Sequence, residues 1–79
     1  MADIGDEGSQ SLFEKLRRLR LDIAQRLGVA PYVVFHDKTL KEMAAVRPST
    51  PAEFLGVTGV GERKLELYGD LFLSAIQEG

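Results

Sequence analysis

The chain has 79 residues, 44% of them hydrophobic and 28% charged, and a formal net charge of −2, which leaves room for one domain with an economical core. It has no cysteine, which excludes disulfides, zinc knuckles and thiol nucleophiles and suits a reducing compartment. No apolar run approaches the roughly 20 residues of a membrane span, and residues 1–8 lack the basic and apolar regions of an export signal, so a cytoplasmic protein is expected.

The acids and bases are unevenly placed. Residues 1–10 hold Asp3, Asp6 and Glu7 and no base, so residues 11–79 are near neutral, with ten bases against nine acids. This first stretch is rich in Gly, Asp and Ser and has no apolar period, which predicts a flexible acidic leader or interdomain linker over residues 1–10. From Ser11 onward, Leu12, Leu16, Leu19, Ile23 and Leu27 recur at helical spacing, widened by Phe13 and Ala24. Ser11 can cap this helix and Gly28 can end it. Five of the ten bases (Lys15, Arg17, Arg18, Arg20, Arg26) fall on it.

Residues 29–35, Val-Ala-Pro-Tyr-Val-Val-Phe, form an apolar run. A strand here would find no pairing partner elsewhere in the chain, and Pro31 suits a first helical turn, so a brief helical or extended insert that plugs the core is expected. Asp37 is a good cap, and Thr39 with Glu42 matches a capping box, for a helix that buries Leu40, Met43 and Ala44 and stops before Pro48. Thr50-Pro51-Ala52-Glu53 is a tighter start, followed by a helix cut short by Gly56. After Gly59-Val60-Gly61, helical spacing runs through Val60, Lys64, Leu65, Tyr68, Leu71, Phe72, Ala75 and Ile76, with a kink or a recapping expected at Gly69-Asp70. The fold class is therefore all-α: a bundle of five or six short helices over residues 11–79, with a helix-hairpin-helix-like turn near the C-terminus.

Catalytic chemistry finds no support in these residues. His36 is the one histidine and has no second ligand at metal-binding spacing, so it reads as a surface or loop residue. Glu62 and Glu66 flank Arg63 as a solvated helix face, and the serines lack an activating arrangement. Neither metal nor cofactor is expected.

Two stretches remain as binding candidates. Val57-Thr58-Gly59-Val60-Gly61, followed by Arg63-Lys64, can present backbone N–H groups to a phosphate, or can be a tight turn whose glycines serve packing. Tyr32 can stack a base while Arg20, Arg26, Lys38 and Lys41 follow a phosphate backbone, or can be a core residue with its hydroxyl at the edge. Asp22 and Asp37 dilute that second patch.

Leu12-Phe13-x-Lys15-Leu16-Arg17-x-Leu19-Arg20, Pro31-Tyr32-Val33-Val34-Phe35-x-Asp37-x-Thr39-Leu40, Met43-Ala44, Arg47-Pro48 and Val57-x-Gly59-Val60-Gly61-x-x-Lys64, in this order, resemble the HRDC (helicase and RNase D C-terminal) domain. That module stands at the C-termini of RecQ-type DNA helicases and RNase D enzymes, and the flavour here is that of bacterial RecQ. The resemblance implies a compact helical fold and a non-catalytic accessory role in a helicase, with weak contact to single-stranded or junction DNA. It carries that contact to Tyr32, with Arg20, Arg26 and Lys38 as companions. It also implies a monomer in a bacterial, nucleoid-associated setting, with the helicase core or another protein as alternative partner through a mixed surface that includes Glu62, Glu66 and Asp70.

Overall fold

In the computed structural model, residues 6–78 are described, and they form α1 (Asp6–Leu27), α2 (Pro31–Val34), α3 (Asp37–Val46), α4 (Pro51–Leu55) and α5 (Glu62–Glu78), with no strand among them. The apolar stripe of α1 supplies Leu12, Leu16, Ile23 and Ala24 to the core, whereas Leu27, at the open end of the stripe, is 55% exposed. Helix α1 packs on α2, α3 and α5, and α4 packs on α5.

The first helix starts earlier than its apolar period indicates. Residues 1–5 of the expected leader lie outside the described residues, but residues 6–10 are helical, so Ser11 is inside α1 and does not cap it. Contacts to the far end of α3 accompany this extension: Arg47 Nη2 donates to the Gly8 carbonyl at 3.4 Å, and Ser9 and Gln10 line a cleft with Phe13 and Ala44. Periodicity cannot report such contacts, because residues 6–10 carry no large apolar side chain.

At the other end of α1, Gly28 takes φ +71°, where a residue with a Cβ is strained, and the Val29 amide donates to the Ala24 carbonyl at 3.0 Å. Helix α2 is a single turn with Pro31 at its start, and it delivers Val34 and Phe35 into the core with almost no exposure. Phe35 is the hub of an aromatic cluster. Its ring meets the edges of Phe54, Tyr68 and Phe72 at centroid distances of 6.1, 5.9 and 5.0 Å, the edge-to-face geometry that ring quadrupoles favour.

The cap of α3 is His36, not Asp37, and no side chain closes it. The expected Thr39–Glu42 box is spent on tertiary contacts instead. Thr39 Oγ1 donates to the Thr58 carbonyl at 3.0 Å, and a Glu42 carboxylate oxygen accepts from the Thr58 amide at 3.2 Å. Helix α3 ends at Arg47, left-handed at φ 52°, whose amide donates to the Met43 carbonyl. The cap of α4 matches its sequence: Thr50 Oγ1 accepts from the Glu53 amide at 3.1 Å. The Glu53 carboxylate reaches one residue further back than a capping box requires, accepting from the amide and hydroxyl of Ser49.

Helix α5 runs unbroken through Gly69 and Asp70, so the recapping expected at Asp70 does not occur. Gly69 is buried, and a Cβ there would lie 2.7 Å from Leu65 Cδ1. The glycine makes room for the preceding turn's leucine; it does not break the helix.

Candidate nucleic-acid interface

The corner between α2 and α3 is built on Arg20. Six residues separate Arg20 from Arg26 on α1, so the two leave the helix about 120° apart and do not share a face. Arg20 is turned inward, with only 7% of its surface exposed. Its Nη1 donates to the Phe35 carbonyl at 2.9 Å, and its Nη2 meets Asp37 Oδ1 at 2.7 Å. One guanidinium thus holds the residues on both sides of His36, using the fork geometry that lysine lacks. Arg20, expected among the phosphate-facing cations, has its polar end taken up inside the fold, and its Nε is buried with no partner among the described residues.

The same contact answers the dilution of the patch by Asp37. The Arg20 hydrogen bond, then its charge, hold the Asp37 carboxyl below its ordinary value against an opposing effect of burial, with lesser help from Lys41 and Arg17. The Asp37 charge is thus paired first with the buried Arg20 cation.

Above this brace sits Tyr32, 61% exposed on the single turn of α2. It is not a core residue. Its ring lies against that of His36, with centroids 5.9 Å apart and planes inclined by 25°. Lys38 is exposed in the first turn of α3, and Lys41 follows one turn on, its ammonium 5.8 Å from the Phe13 ring centre. Arg26 is exposed in the last turn of α1, just before the short connection to α2. Leu27, Val29 and Val33 add exposed apolar surface within the same stretch of chain. The structure therefore leaves Tyr32, Lys38 and Arg26 exposed, turns Lys41 toward Phe13 and the cleft at the start of α1, and takes the polar end of Arg20 into the fold.

Three residues of this neighbourhood make contacts that their sequence pattern does not indicate. His36 reads as an isolated histidine because Phe35, in extended conformation (φ −152°, ψ 148°), separates it from α2. Arg17 acts on Asp37 across the helix pair. Lys64 lays its ammonium 5.5 Å from the Phe35 ring centre, a cation–π placement that no local pattern announces.

The second candidate, the turn at residues 57–61, is a packing device. Gly59 has φ +91°, and a Cβ on it would overlap Thr39 Oγ1. The Thr58 amide, which a phosphate cradle needs, already donates to Glu42. Among the described residues no cluster of His, Asp and Glu could hold a metal ion, and no helix is long and apolar enough to cross a membrane.

The family model of the HRDC domain matches residues 9–76. The ATP-dependent DNA helicase RecQ of Bacillus subtilis is 51% identical over 69 residues, which cover 87% of this chain and 12% of that protein. The ATP-dependent DNA helicase UvrD2 of Mycobacterium tuberculosis is 37% identical over 76 residues, covering 96% of this chain and 10% of that protein. Among solved structures, D. radiodurans RecQ HRDC domain 3 superposes with a TM-score of 0.85 at 40% identity, covering 89% of this chain and 92% of that one. The chain thus spans about a tenth of the length of these two helicases.

Proposed function

The chain belongs to the HRDC domain family, and we propose that it serves a RecQ-type DNA helicase as a non-catalytic accessory domain that contacts single-stranded or junction DNA weakly at the α2–α3 corner. The observation that carries this reading is the exposed Tyr32 ring on a corner braced by a buried arginine, with the exposed cations Arg26, Lys38 and Lys41 on the helices that flank it in the chain. A rigid aromatic surface bordered by cations suits unpaired nucleotides: the rings stack bases whatever their sequence, and the cations neutralise phosphates. Few cations are engaged and the folded part is near neutral, so affinity is low and the domain tunes substrate choice, leaving unwinding to its parent. On this reading the domain acts with its parent helicase at DNA, in a bacterial nucleoid.

The test is fluorescence anisotropy of a labelled single-stranded oligonucleotide at two salt concentrations. Binding that weakens with salt and is lost in Tyr32→Ala is expected. Binding indifferent to Tyr32→Ala refutes the corner.

An alternative, docking on the helicase core or another protein, draws on α5. There Glu62, Glu66 and Asp70 are exposed at i, i+4 and i+8, with Leu67 and Leu71 half-exposed beside them. A titration against the helicase core that responds to charge reversal at Glu62 and Asp70, with no DNA binding at low salt, decides for docking.

A further inference from the structure

We propose that His36 is a second stacking ring of the same interface, so that Tyr32 and His36 together form one shelf for two successive unpaired bases. The inference rests on reading the α2–α3 corner as a single-strand contact and adds a partner to Tyr32 there.

Three observations support it. First, the two rings are nearly parallel, at 5.9 Å and 25°, and both residues are exposed. Tyr32 keeps 61% of its surface open, so the pair does not bury itself. Both residues are thus open to solvent, and any base can lie on an exposed ring face.

Second, the imidazole is not used as a helix cap. His36 occupies the cap position of α3, where a side chain ordinarily accepts a backbone N–H, yet it makes no cap hydrogen bond. Its backbone carbonyl serves the helix through the Leu40 amide, and that bond survives any substitution of the side chain.

Third, the backbone of His36 is held from both sides. Arg20 grips the Phe35 carbonyl before it and the Asp37 carboxylate after it. Little chain freedom is then left to lose when a ligand settles on the ring, which is how preorganisation raises affinity. Tyr32 stands on a turn whose next residues, Val34 and Phe35, are locked in the core. Both rings are mounted on fixed backbone. The partner is a strand with unpaired bases, since paired bases within a duplex have no face to offer.

The experiment compares the 79-residue chain with Tyr32→Ala, His36→Ala, His36→Phe and His36→Lys, by anisotropy of a labelled oligothymidylate at constant low salt. His36→Ala is expected to weaken binding about fivefold, the fold-change of one modest stacking contact. His36→Phe keeps a ring and is expected to stay within about twofold of the parent, whereas His36→Lys supplies charge without a ring and is expected to fall with alanine. Thermal melts should stay level across the His36 series, because the side chain caps nothing.

If His36→Ala binds like the parent while Tyr32→Ala does not, the shelf is refuted and the Tyr32 contact stands. If His36→Lys restores affinity and His36→Phe does not, the contact is electrostatic and the shelf is likewise refuted. If the parent chain does not bind at all, the corner reading itself falls and takes the shelf with it. Since His36 is the one histidine, its ring protons give an independent readout in the unaltered protein. An upfield shift on saturation with the oligonucleotide is expected, and unmoved resonances overturn the shelf.

Discussion

Replacing Arg20 by alanine removes the guanidinium that ties α1 to the α2–α3 corner. The Phe35 carbonyl, buried with the rest of that residue, loses its donor at 2.9 Å, and an unsatisfied buried acceptor costs about 1–3 kcal/mol. The lost packing of the buried stem adds to this. The Asp37 side of the contact adds little, because its carboxylate is 64% exposed and well screened. A small gain opposes these losses, since the partnerless Nε disappears with the side chain. The balance is about 2 kcal/mol, which for a domain of this size lowers Tm by about 8–16 °C.

Urea unfolding followed by far-ultraviolet circular dichroism measures the loss directly. Oligonucleotide binding by the same variant supplies the second half of the test. An inward-facing Arg20 leaves the salt dependence of binding unchanged, whatever happens to affinity as the corner loosens. A phosphate-facing Arg20 flattens the log–log salt slope by about 0.7, the contribution of one contact on a single strand. Stability within about 0.5 kcal/mol of the parent, together with a flattened slope, refutes the structural role and restores the direct one.

Two further outcomes follow from the same geometry. Asp37 has a folded-state pKa below its ordinary 3.8 because of Arg20, so its stabilising share is complete above that value and is lost as pH falls through the lower, folded-state value. Urea midpoints taken from roughly pH 5 to pH 2 should therefore fall less steeply in Asp37→Asn than in the parent; parallel curves would remove the pair from the account of acid stability. Among the glycines, Gly59→Ala combines a left-handed φ with an overlap on Thr39 and should cost about 2 kcal/mol or more. Gly69→Ala gains about 1 kcal/mol of helix propensity against a contact with the movable end of Leu65, so its melting temperature should stay near the parent's. Equal losses at the two sites would refute the distinction between them.

Much of this architecture is legible locally, because local chemistry decides it. Thr50, Pro51 and Glu53 mark the start of α4 through bonds that span three residues. Gly28 ends α1 because only its own φ is at issue. The spacing of Leu12, Leu16 and Ile23 names the buried face, and Pro31 marks the turn that delivers Phe35. The blocks around Pro31–Phe35 and Gly59–Gly61 are specific enough to indicate the family. Tyr32, Lys38 and Lys41 were also in view, since residue type and neighbourhood suffice to nominate a stacking ring and its cations.

What only the tertiary structure decides is where the polar side chains point. Arg20 and Arg26 are equivalent in composition, yet one is buried by the Phe35 carbonyl and Asp37 and the other faces water. Thr39 and Glu42 spell a helix start but serve the turn at Thr58, because α4 and its hairpin lie across from them. Residues 6–10 are helical beside the end of α3 without an apolar period to show it, and Gly69 lies buried inside a continuous helix, where a Cβ would crowd the side chain of Leu65. Tyr32 and His36 become neighbours only because an extended Phe35 folds one short helix onto the next. In each case the deciding partner is a group brought near by the fold. A local sequence pattern records the periodicity of a face and the chemistry of a cap; the direction of a polar side chain depends on what the rest of the chain places opposite it.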